Sequence, residues 1–346
     1  NPGILLITLD LCILLTDDAL EYRKALSREL GLPLENILIT CTHTHSAPLA
    51  RFATGGPEQQ QTDSFMADPL GTSVRYGKWL LGRLRKIATM AVSRKSPVTL
   101  SYRETFTGLG YNRRTPGPDG IRNCWNLSEF PDRTPDPMVK LRHGVLNFEY
   151  QGKQGGIVLQ NLGIHPVVMG KASHQISGDW PCYARRHLEK RMNAYQAIYT
   201  HGAGAQVQPW ISTQADSRAL RWVGEAIGAE AVMMATVGDP LPVPESAFCL
   251  NTFHLPRTGV AISTFELGRL LFVGVPFELS ATWADRIITT LNRPVVFLCL
   301  CNGWDGYWMS PEEFAEGGYE VEVARSRGVT AEDSLALLER LRTHAL

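Results

Sequence analysis

In the stretch NILITCTHTHSAP, residues Asn36 to Pro48, an apolar strand runs directly into two histidines. Side chains alternate along an extended segment, so we expect His43 and His45 to point to the same side of the strand end. Open α/β sheets bind ligands at the ends of their strands. Two imidazoles held together repel each other when both are protonated, and a bound metal removes that conflict. The pair therefore indicates either a metal site or a loop with two ordinary histidines.

The segments before this stretch complete a β-α-β unit, which predicts an α/β fold. Residues 3–9 have the pattern of a buried strand and residues 17–30 that of a helix. We expect a single domain, residues 1–346, with mixed β-sheets, flanking helices and a metal site at strand ends. The other predicted elements are strands at 98–104, 144–150, 156–162, 260–264, 270–275 and 294–300, helices at 76–90, 183–192, 217–236, 282–291 and 330–341, and long loops at 49–74 and 107–137.

Composition and charge argue against several kinds of partner. The chain has 346 residues, in which 34 basic side chains balance 34 acidic ones. A net charge of zero gives no reason to expect nucleic acid or an acidic membrane surface as a partner. No run of about 18 uncharged apolar residues occurs, so we expect no transmembrane segment. The oligomeric state stays open.

The cysteines and the N-terminus give little information about the cellular compartment of the protein, which stays open. The seven cysteines are odd in number and scattered, which favours a reduced protein. The chain begins Asn1-Pro2-Gly3 with no initiator methionine and no signal peptide, so we expect that it is truncated at its N-terminus.

Chemically capable side chains follow three further apolar strands. His165 follows the strand that ends near Leu162, Glu278 follows a strand and a proline, and Tyr307 follows a strand and a glycine-rich turn. Each has an ordinary alternative: a core histidine, a carboxylate in the first turn of a helix, and an aromatic ring that covers a sheet edge. Together with the histidine pair they suggest a zinc site, because imidazole and carboxylate are the usual ligands of catalytic zinc.

These segments make the chain resemble the neutral (non-lysosomal) ceramidase family along nearly its whole length. The family's motifs have counterparts here: Thr-His-Thr-His-Ser-x-Pro at 42–48, His-Pro at 165–166, Pro-Gly-Glu at 276–278 with Phe277 for the glycine, Asn-x-x-x-x-Tyr at 302–307, Glu-Glu at 312–313 and Tyr-Glu at 319–320. The resemblance implies a catalytic domain of neutral ceramidase type. It covers part of that domain and does not extend to the family's C-terminal immunoglobulin-like domain.

The resemblance also implies roles for individual residues. It implies a zinc ion (Zn²⁺) as cofactor, and the implied zinc ligands are His43, His165, Glu278 and Tyr307. The implied catalytic residues are His45, which handles a proton beside the metal, Arg113, which faces the substrate, and Tyr319, which hydrogen bonds a developing oxyanion. An alternative for Arg113 and its neighbour Arg114 is a solvated pair in a loop.

One departure from the family is serious. Ceramidases carry Gly-Asp-x-Ser-Pro with a serine of catalytic role, whereas residues 205–209 here read Ala-Gln-Val-Gln-Pro. Gln206 therefore replaces the aspartate and Gln208 the serine. An amide cannot act as a nucleophile, although it can donate hydrogen bonds and orient a substrate. Asp179, which also lies in a segment that resembles the family, is interpreted as a helix-capping residue.

The resulting hypothesis is a zinc-dependent hydrolase that cleaves an amide or related acyl bond in a small or lipid-like substrate, with sphingolipid metabolism as the implied setting. Metal-activated water would perform the cleavage. Two alternatives stay open. The glutamine replacements are compatible with a metal-bearing binding protein without turnover, and the lack of an apolar helix for lipid leaves room for a smaller, soluble substrate.

Overall fold

The structure is a computed structural model that describes residues 3–52, 70–129, 140–243 and 250–344. Most of the predicted loop 49–74, the last part of the loop 107–137 and Cys249 lie outside these ranges. The described residues form a mixed α/β fold, as the sequence predicts. The helices are α1 (Thr16–Leu30), α2 (Thr72–Ser93), α3 (Asp179–Arg191), α4 (Arg218–Thr236), α5 (Ala281–Leu291), α6 (Pro311–Glu316), α7 (Tyr319–Ser326) and α8 (Ala331–His344).

The strands are short, and each predicted strand has a counterpart. In chain order they are β1 (Leu5–Leu9), β2 (Ile37–Cys41), β3 (Val98–Thr107), β4 (Gly110–Asn112), β5 (Arg114–Gly117), β6 (Gly120–Asn123), β7 (Leu141–Tyr150), β8 (Gly156–Leu162), β9 (Tyr195–His201), β10 (Val207–Pro209), β11 (Asp239–Pro240), β12 (Leu250–His254), β13 (Ala261–Leu267), β14 (Leu270–Gly274), β15 (Glu278–Leu279), β16 (Val295–Leu298) and β17 (Tyr307–Trp308). The region 107–137 was predicted as a loop, but β4, β5 and β6 lie within it.

Two larger sheets frame the fold. One has the strand order β11-β3-β7-β8-β9 and the other β12-β13-β14-β16. In each sheet a run of antiparallel pairs ends in a parallel pair, β8 with β9 and β14 with β16. The strands β7 and β8 form a hairpin, with Glu149 paired to Gly156 next to the turn. Smaller pairs are β1 with β2 and β15 with β17, both parallel, and β4 with β10 and β5 with β6, both antiparallel.

The parallel pair of β1 and β2 joins the two sheets through the core. Leu38 packs in one apolar cluster with Leu159 of β8 and Phe272 of β14. On the opposite side of β2, Ile37 and Ile39 pack in the largest cluster, which also contains Trp283 of α5. Because both sides of β2 pack against other residues, the whole strand is buried, which explains why its sequence does not alternate between apolar and charged residues.

Hydrogen bonds between loops bring the carboxyl ends of these strands together. The backbone N–H of Asn302 donates to the carbonyl of Ile39 over 2.7 Å, and the Asn302 side chain accepts the N–H of Ile39 over 2.9 Å. The N–H of Cys299 donates to the carbonyl of His201 at the end of β9 over 2.9 Å. The ends of β2, β9 and β16 therefore meet at one place. In the described part of the chain, no helix has the length and apolar character needed to cross a bilayer.

Candidate metal centre

His43 reaches the interior through a backbone turn. The strand β2 ends at Cys41, and His43 adopts a φ of 69° in the left-handed region, which side chains of L-residues seldom occupy. The segment is thus not extended at this point, contrary to the expectation from alternation. His43 is buried and His45 is exposed, although their ring centroids lie 4.8 Å apart. The pair is close because the chain turns, not because both residues share one face of a strand.

His43, His165 and Glu278 converge as a buried group. The Nε2 atoms of both histidines lie 3.2 Å from the same carboxylate oxygen, Oε2 of Glu278. One ligand atom from each residue lies within 4.8 Å of the others, a spacing that suits a single metal ion. All three side chains are at most 2% exposed. The sequence separation of these residues shows that the fold, and not local structure, assembles the group.

The hydrogen bonds around the histidines fix which ring nitrogens are free. Nδ1 of His43 lies 2.9 Å from the carbonyl of Cys12, and Nδ1 of His165 lies 2.9 Å from the carbonyl of Val207. A carbonyl only accepts, so each Nδ1 carries a hydrogen and donates it. In a neutral ring, each Nε2 then carries the lone pair. That of His43 faces Glu278, and that of His165 lies near both Glu278 and Nη1 of Arg113. This arrangement is typical of histidines that bind a metal through Nε2.

The carboxylate of Glu278 is fixed in the same way. Its Oε1 accepts a hydrogen bond from Nε1 of Trp304 over 3.0 Å. Its Oε2 and the Nε2 of His43 are both buried without a hydrogen-bond partner, despite their short separation. A buried imidazole nitrogen and a buried carboxylate oxygen at this distance need either a proton or a metal ion between them. The residues therefore fit a divalent metal ion.

Burial and charge set the ionisation of these groups. Burial raises the pKa of Glu278, but His43 and His165 outweigh it and hold the pKa well below its ordinary value. Burial, and then the nearby Arg113 guanidinium, lower the pKa of His165 to about 3, so His165 is neutral at physiological pH. Burial also opposes a charge on His43, but Glu278 outweighs it and raises the pKa of His43. A proton on His43 is thus what a metal ion would displace.

Tyr307 lies beside this group through strand pairing. In the parallel pair of β15 and β17, Tyr307 is the direct partner of Glu278. Burial, and then the charge of Glu278, raise the pKa of the Tyr307 hydroxyl well above its ordinary value. Its ring lies 5.8 Å from that of Tyr319, which is 42% exposed and thus forms part of the rim.

Arg113 is buried beside the same group, so it is not the solvated loop residue of the alternative interpretation. Its Nε donates to Oε1 of Glu320 over 2.8 Å, and its Nη1 lies 3.3 Å from Nε2 of His165. Its Nη2 is buried without a partner. The ring of Trp125 covers the guanidinium, with its centroid 4.5 Å from Cζ. Arg113 therefore offers an unused hydrogen-bond donor beside the buried group.

Arg114, the neighbour of Arg113, is buried as well and hydrogen bonds to other parts of the protein. Its Nη1 donates to Oε2 of Glu320 over 3.0 Å, and its Nη2 donates to the carbonyl of Gly317 over 2.8 Å. Glu320 thus lies between two arginines. Burial raises the pKa of Glu320, but Arg113 and Arg114 outweigh it and lower the pKa below the ordinary value of 4.5.

A fourth histidine lies against the group, and the sequence did not indicate it as a site residue. His201 ends β9, and its ring centroid lies 5.0 Å from that of His43. Its Nδ1 contacts the hydroxyl of Tyr199 at 3.1 Å, and its Nε2 is buried without a partner. Burial and the neighbouring histidines hold its pKa well below the ordinary value, so it is neutral. The available signal was the same as for His165, a histidine at the end of an apolar strand.

Two glycines allow the loops behind the site to approach each other. A Cβ atom on Gly163 would lie 1.9 Å from the carbonyl oxygen of Ala203, and one on Gly204 would lie 2.1 Å from that of Gly163. Any other residue at either position would push the loop that carries His165 away from the loop that follows His201.

Cys12 and His45 lie on the solvent side of His43. The thiol of Cys12 is 3.7 Å from Nδ1 of His43, and ligand atoms of Cys12, His43 and His45 lie within 4.8 Å of one another. Burial raises the pKa of Cys12, but His45 and His43 outweigh it and lower the pKa to about 6. His45 is not in the buried group with Glu278. From the sequence, Cys12 was only one of seven scattered cysteines and was not predicted to belong to a site.

Gln206, which replaces the family's aspartate, is a structural residue. Its Oε1 accepts the N–H of Ala281 at the start of α5, and its Nε2 lies 3.0 Å from Oγ of Ser280 and 3.1 Å from Oε1 of Glu313. The side chain is completely buried. It therefore joins the starts of two helices, because Glu313 also forms the capping box of α6 with Ser310.

Gln208, which replaces the family's serine, lies near the aromatic rim. Its Nε2 donates to the carbonyl of Trp125 over 3.1 Å, and its Oε1 is buried without a partner. Asp179 is the first residue of α3, where its carboxylate accepts the N–H groups of Val168, Met169 and Trp180. These contacts fix the loop after His165 against the start of α3.

Two solved structures share the fold of this chain. One is a neutral ceramidase from Pseudomonas aeruginosa, with a TM-score of 0.65 and 19% identity over 97% of this chain. The other is a ceramidase complexed with C2, with a TM-score of 0.65 and 18% identity over 97% of this chain. The chain covers 66% and 67% of those two chains. No protein-family model and no curated protein matches the sequence. The fold is therefore that of neutral ceramidase, as the motifs predict.

Proposed function

We propose that this protein is a metal-dependent hydrolase of neutral ceramidase type that cleaves an amide bond. The proposed metal is zinc, and His43, His165 and Glu278 would hold it, with Tyr307 as a fourth ligand. The observation that carries this proposal is that the Nε2 atoms of two buried histidines both lie 3.2 Å from one carboxylate oxygen. When bound, a zinc ion lowers the pKa of coordinated water and polarises an acyl carbonyl.

The surrounding residues supply the remaining steps. His45 is exposed beside His43, so it can take up a proton and pass it to the departing amine. Arg113 offers its unpartnered Nη2, and Tyr319 its hydroxyl, to the oxygen that gains negative charge when the carbonyl is attacked. Both donors are positioned in advance, because Glu320 fixes Arg113 and the ring of Trp125 packs edge-on against Tyr319 at 5.2 Å.

The proposed substrate is an N-acyl amide with a lipid-like acyl chain. The fold supports this class, since both structural relatives are ceramidases. The rim adds local support, because the rings of Trp125 and Tyr319 are 37% and 42% exposed next to the buried arginine. These rings would contact an apolar chain while Arg113 binds the carbonyl oxygen.

The function is tested by hydrolysis before and after metal removal. The purified protein would be treated with a chelator, divided, and assayed on long-chain and short-chain N-acyl amides with and without added Zn²⁺. The proposal expects activity only with the metal and a preference for the long chain. His43→Ala and Glu278→Ala should abolish hydrolysis. Full activity in the metal-free sample would refute the mechanism, and equal rates on both chain lengths would refute the lipid-like substrate.

The alternative of a binding protein without turnover has one observation in its favour. Gln206 is fully engaged in structural hydrogen bonds and Gln208 has no nucleophilic group, so neither supplies the chemistry of a serine. Saturable binding of the same N-acyl amides without any product would favour this alternative.

A further inference from the structure

The thiol of Cys12, which the proposed mechanism does not use, forms a second cluster of metal-binding groups with the imidazole of His45. The loop that carries Cys12 is fixed to the histidine loop, because the N–H of His43 donates to the carbonyl of Leu11 over 2.9 Å. Ligand atoms of Cys12, His43 and His45 lie within 4.8 Å of one another. Cys12 is partly buried and His45 is exposed, so solvent reaches this cluster more easily than the group around Glu278.

His43 cannot serve both clusters. Its Nε2 faces Glu278, and its Nδ1–H is donated to the carbonyl of Cys12. A neutral imidazole has one lone pair on nitrogen, so His43 has none left on the side of Cys12. The second cluster is therefore reduced to the sulfur of Cys12 and one ring nitrogen of His45, with room for solvent at the other positions.

We propose that Cys12 and His45 form a second cation site, which selects thiophilic divalent ions such as Zn²⁺ and Cd²⁺. Thiolate and imidazole prefer these ions over Mg²⁺ and Ca²⁺, which take oxygen ligands. As the sulfur–metal bond forms, the thiol releases its proton to solvent. With two protein ligands, this site binds more weakly than the buried group, which provides at least three.

An ion at this site would affect the reaction. A ring nitrogen of His45 that binds a metal can no longer take up a proton. A second equivalent of Zn²⁺ should therefore inhibit the hydrolysis that the first equivalent supports. This consequence depends on the proposed function, whereas the binding itself does not.

Cadmium binding tests the proposal directly, because Cd²⁺ bound to a thiolate absorbs in the ultraviolet. We would measure the bound equivalents by equilibrium dialysis and the absorption by titration with Cd²⁺ alone. The wild-type chain should bind two equivalents, with thiolate absorption that accompanies the weaker one. Cys12→Ser should bind one equivalent without this absorption. Cys182→Ser is the matched control, because Cys182 is the other partly buried free thiol in the described residues, and it should behave like the wild type.

Two further variants separate the possible outcomes. Glu278→Gln should lose the tighter equivalent and keep the thiolate absorption, so failure of the buried centre is distinguishable from failure of this site. His45→Ala changes an exposed side chain and should lose the weaker equivalent even if Cys12→Ser does not fold. Thiolate absorption that persists in Cys12→Ser, a wild-type chain that binds one equivalent, or undiminished weak binding in His45→Ala would overturn the proposal.

Discussion

Nε2 of His43 and Oε2 of Glu278 lie 3.2 Å apart in a fully buried site, and neither atom makes a hydrogen bond. The other polar atom of each side chain is occupied, by the carbonyl of Cys12 and by Nε1 of Trp304. Both side chains are therefore held with their free atoms directed at each other. An unpaired buried polar atom is costly, so this arrangement suits a site that a metal ion, or a proton on His43 in its absence, would satisfy.

Replacing the carboxylate should release the metal. Glu278→Gln removes the negative charge and leaves two neutral imidazoles with an amide. We expect the affinity for Zn²⁺ to fall at least about 100-fold, since even changes to residues behind metal ligands cost about 10- to 100-fold. Measurement is by competition with a chromophoric chelator. Glu312→Gln, an exposed carboxylate that pairs with Arg286, is the control and should bind normally. Unchanged affinity in Glu278→Gln would exclude this carboxylate as a ligand.

The pair of arginines around Glu320 should govern stability at low pH. Arg113 and Arg114 lower the pKa of Glu320 below 4.5. A lowered carboxylate pKa contributes stability that is complete above the ordinary value and is lost as the pH falls through the folded-state pKa. Glu320→Gln leaves the buried Arg113 without its counterion, whereas Arg114 keeps its ion pair with Glu316, and the change should cost about 3–5 kcal/mol at neutral pH.

The measurement for Glu320 is denaturant unfolding at several pH values. The wild-type free energy of unfolding should fall below pH 4.5, and the variant should show a smaller fall over the same range. Identical pH dependence in the two proteins would show that Glu320 does not carry this effect.

Gln206 should contribute to stability and not to chemistry. Gln206→Ala leaves the N–H of Ala281 and Oε1 of Glu313 without Gln206 as partner in a buried position, while Oε2 of Glu313 keeps the N–H of Ser310. Each unsatisfied group costs about 1–3 kcal/mol, so we expect a loss of about 3 kcal/mol in the free energy of unfolding. Gln196→Ala, on an exposed position of β9, should stay within about 0.5 kcal/mol of the wild type. A stable Gln206→Ala variant that has lost all hydrolysis would contradict the structural assignment.

Tyr319 should act through its hydroxyl. Tyr319→Phe keeps the ring that packs against Trp125 and Tyr307 and removes only the donor. Loss of one donor to an oxyanion lowers kcat by about 100- to 1,000-fold, and we expect kcat to fall in this range with little change in metal content. Tyr76→Phe, whose ring stacks on Trp79 instead, is the control and should retain its activity. An unaffected kcat in Tyr319→Phe would remove this residue from the mechanism.

The sequence predicted the convergence of His43, His165 and Glu278 because each follows an apolar strand, and such strand ends meet in an α/β fold. It did not predict that His45 would be exposed, because the residue types around His43 do not reveal the backbone turn with positive φ at that position. His201 was missed because the strand that carries it was not recognised.

The long-range contacts of the site were the hardest part to predict from the sequence. Arg113 and Glu320 are 207 positions apart in the sequence, and no local pattern predicts an ion pair between such distant residues. The same holds for Gln206, whose partners lie 74 to 107 positions further along the chain. The family motifs indicated which residues belong to the site, and the structure supplied the contacts that hold them.

The central claim is that His43, His165 and Glu278 hold one divalent metal ion. The most direct measurement is anomalous X-ray diffraction from crystals of the purified protein, recorded on both sides of the zinc absorption edge. We predict one strong anomalous peak at about 2 Å from Nε2 of His43, Nε2 of His165 and a carboxylate oxygen of Glu278. Crystals soaked in Zn²⁺ that show no peak among these three side chains would contradict the account.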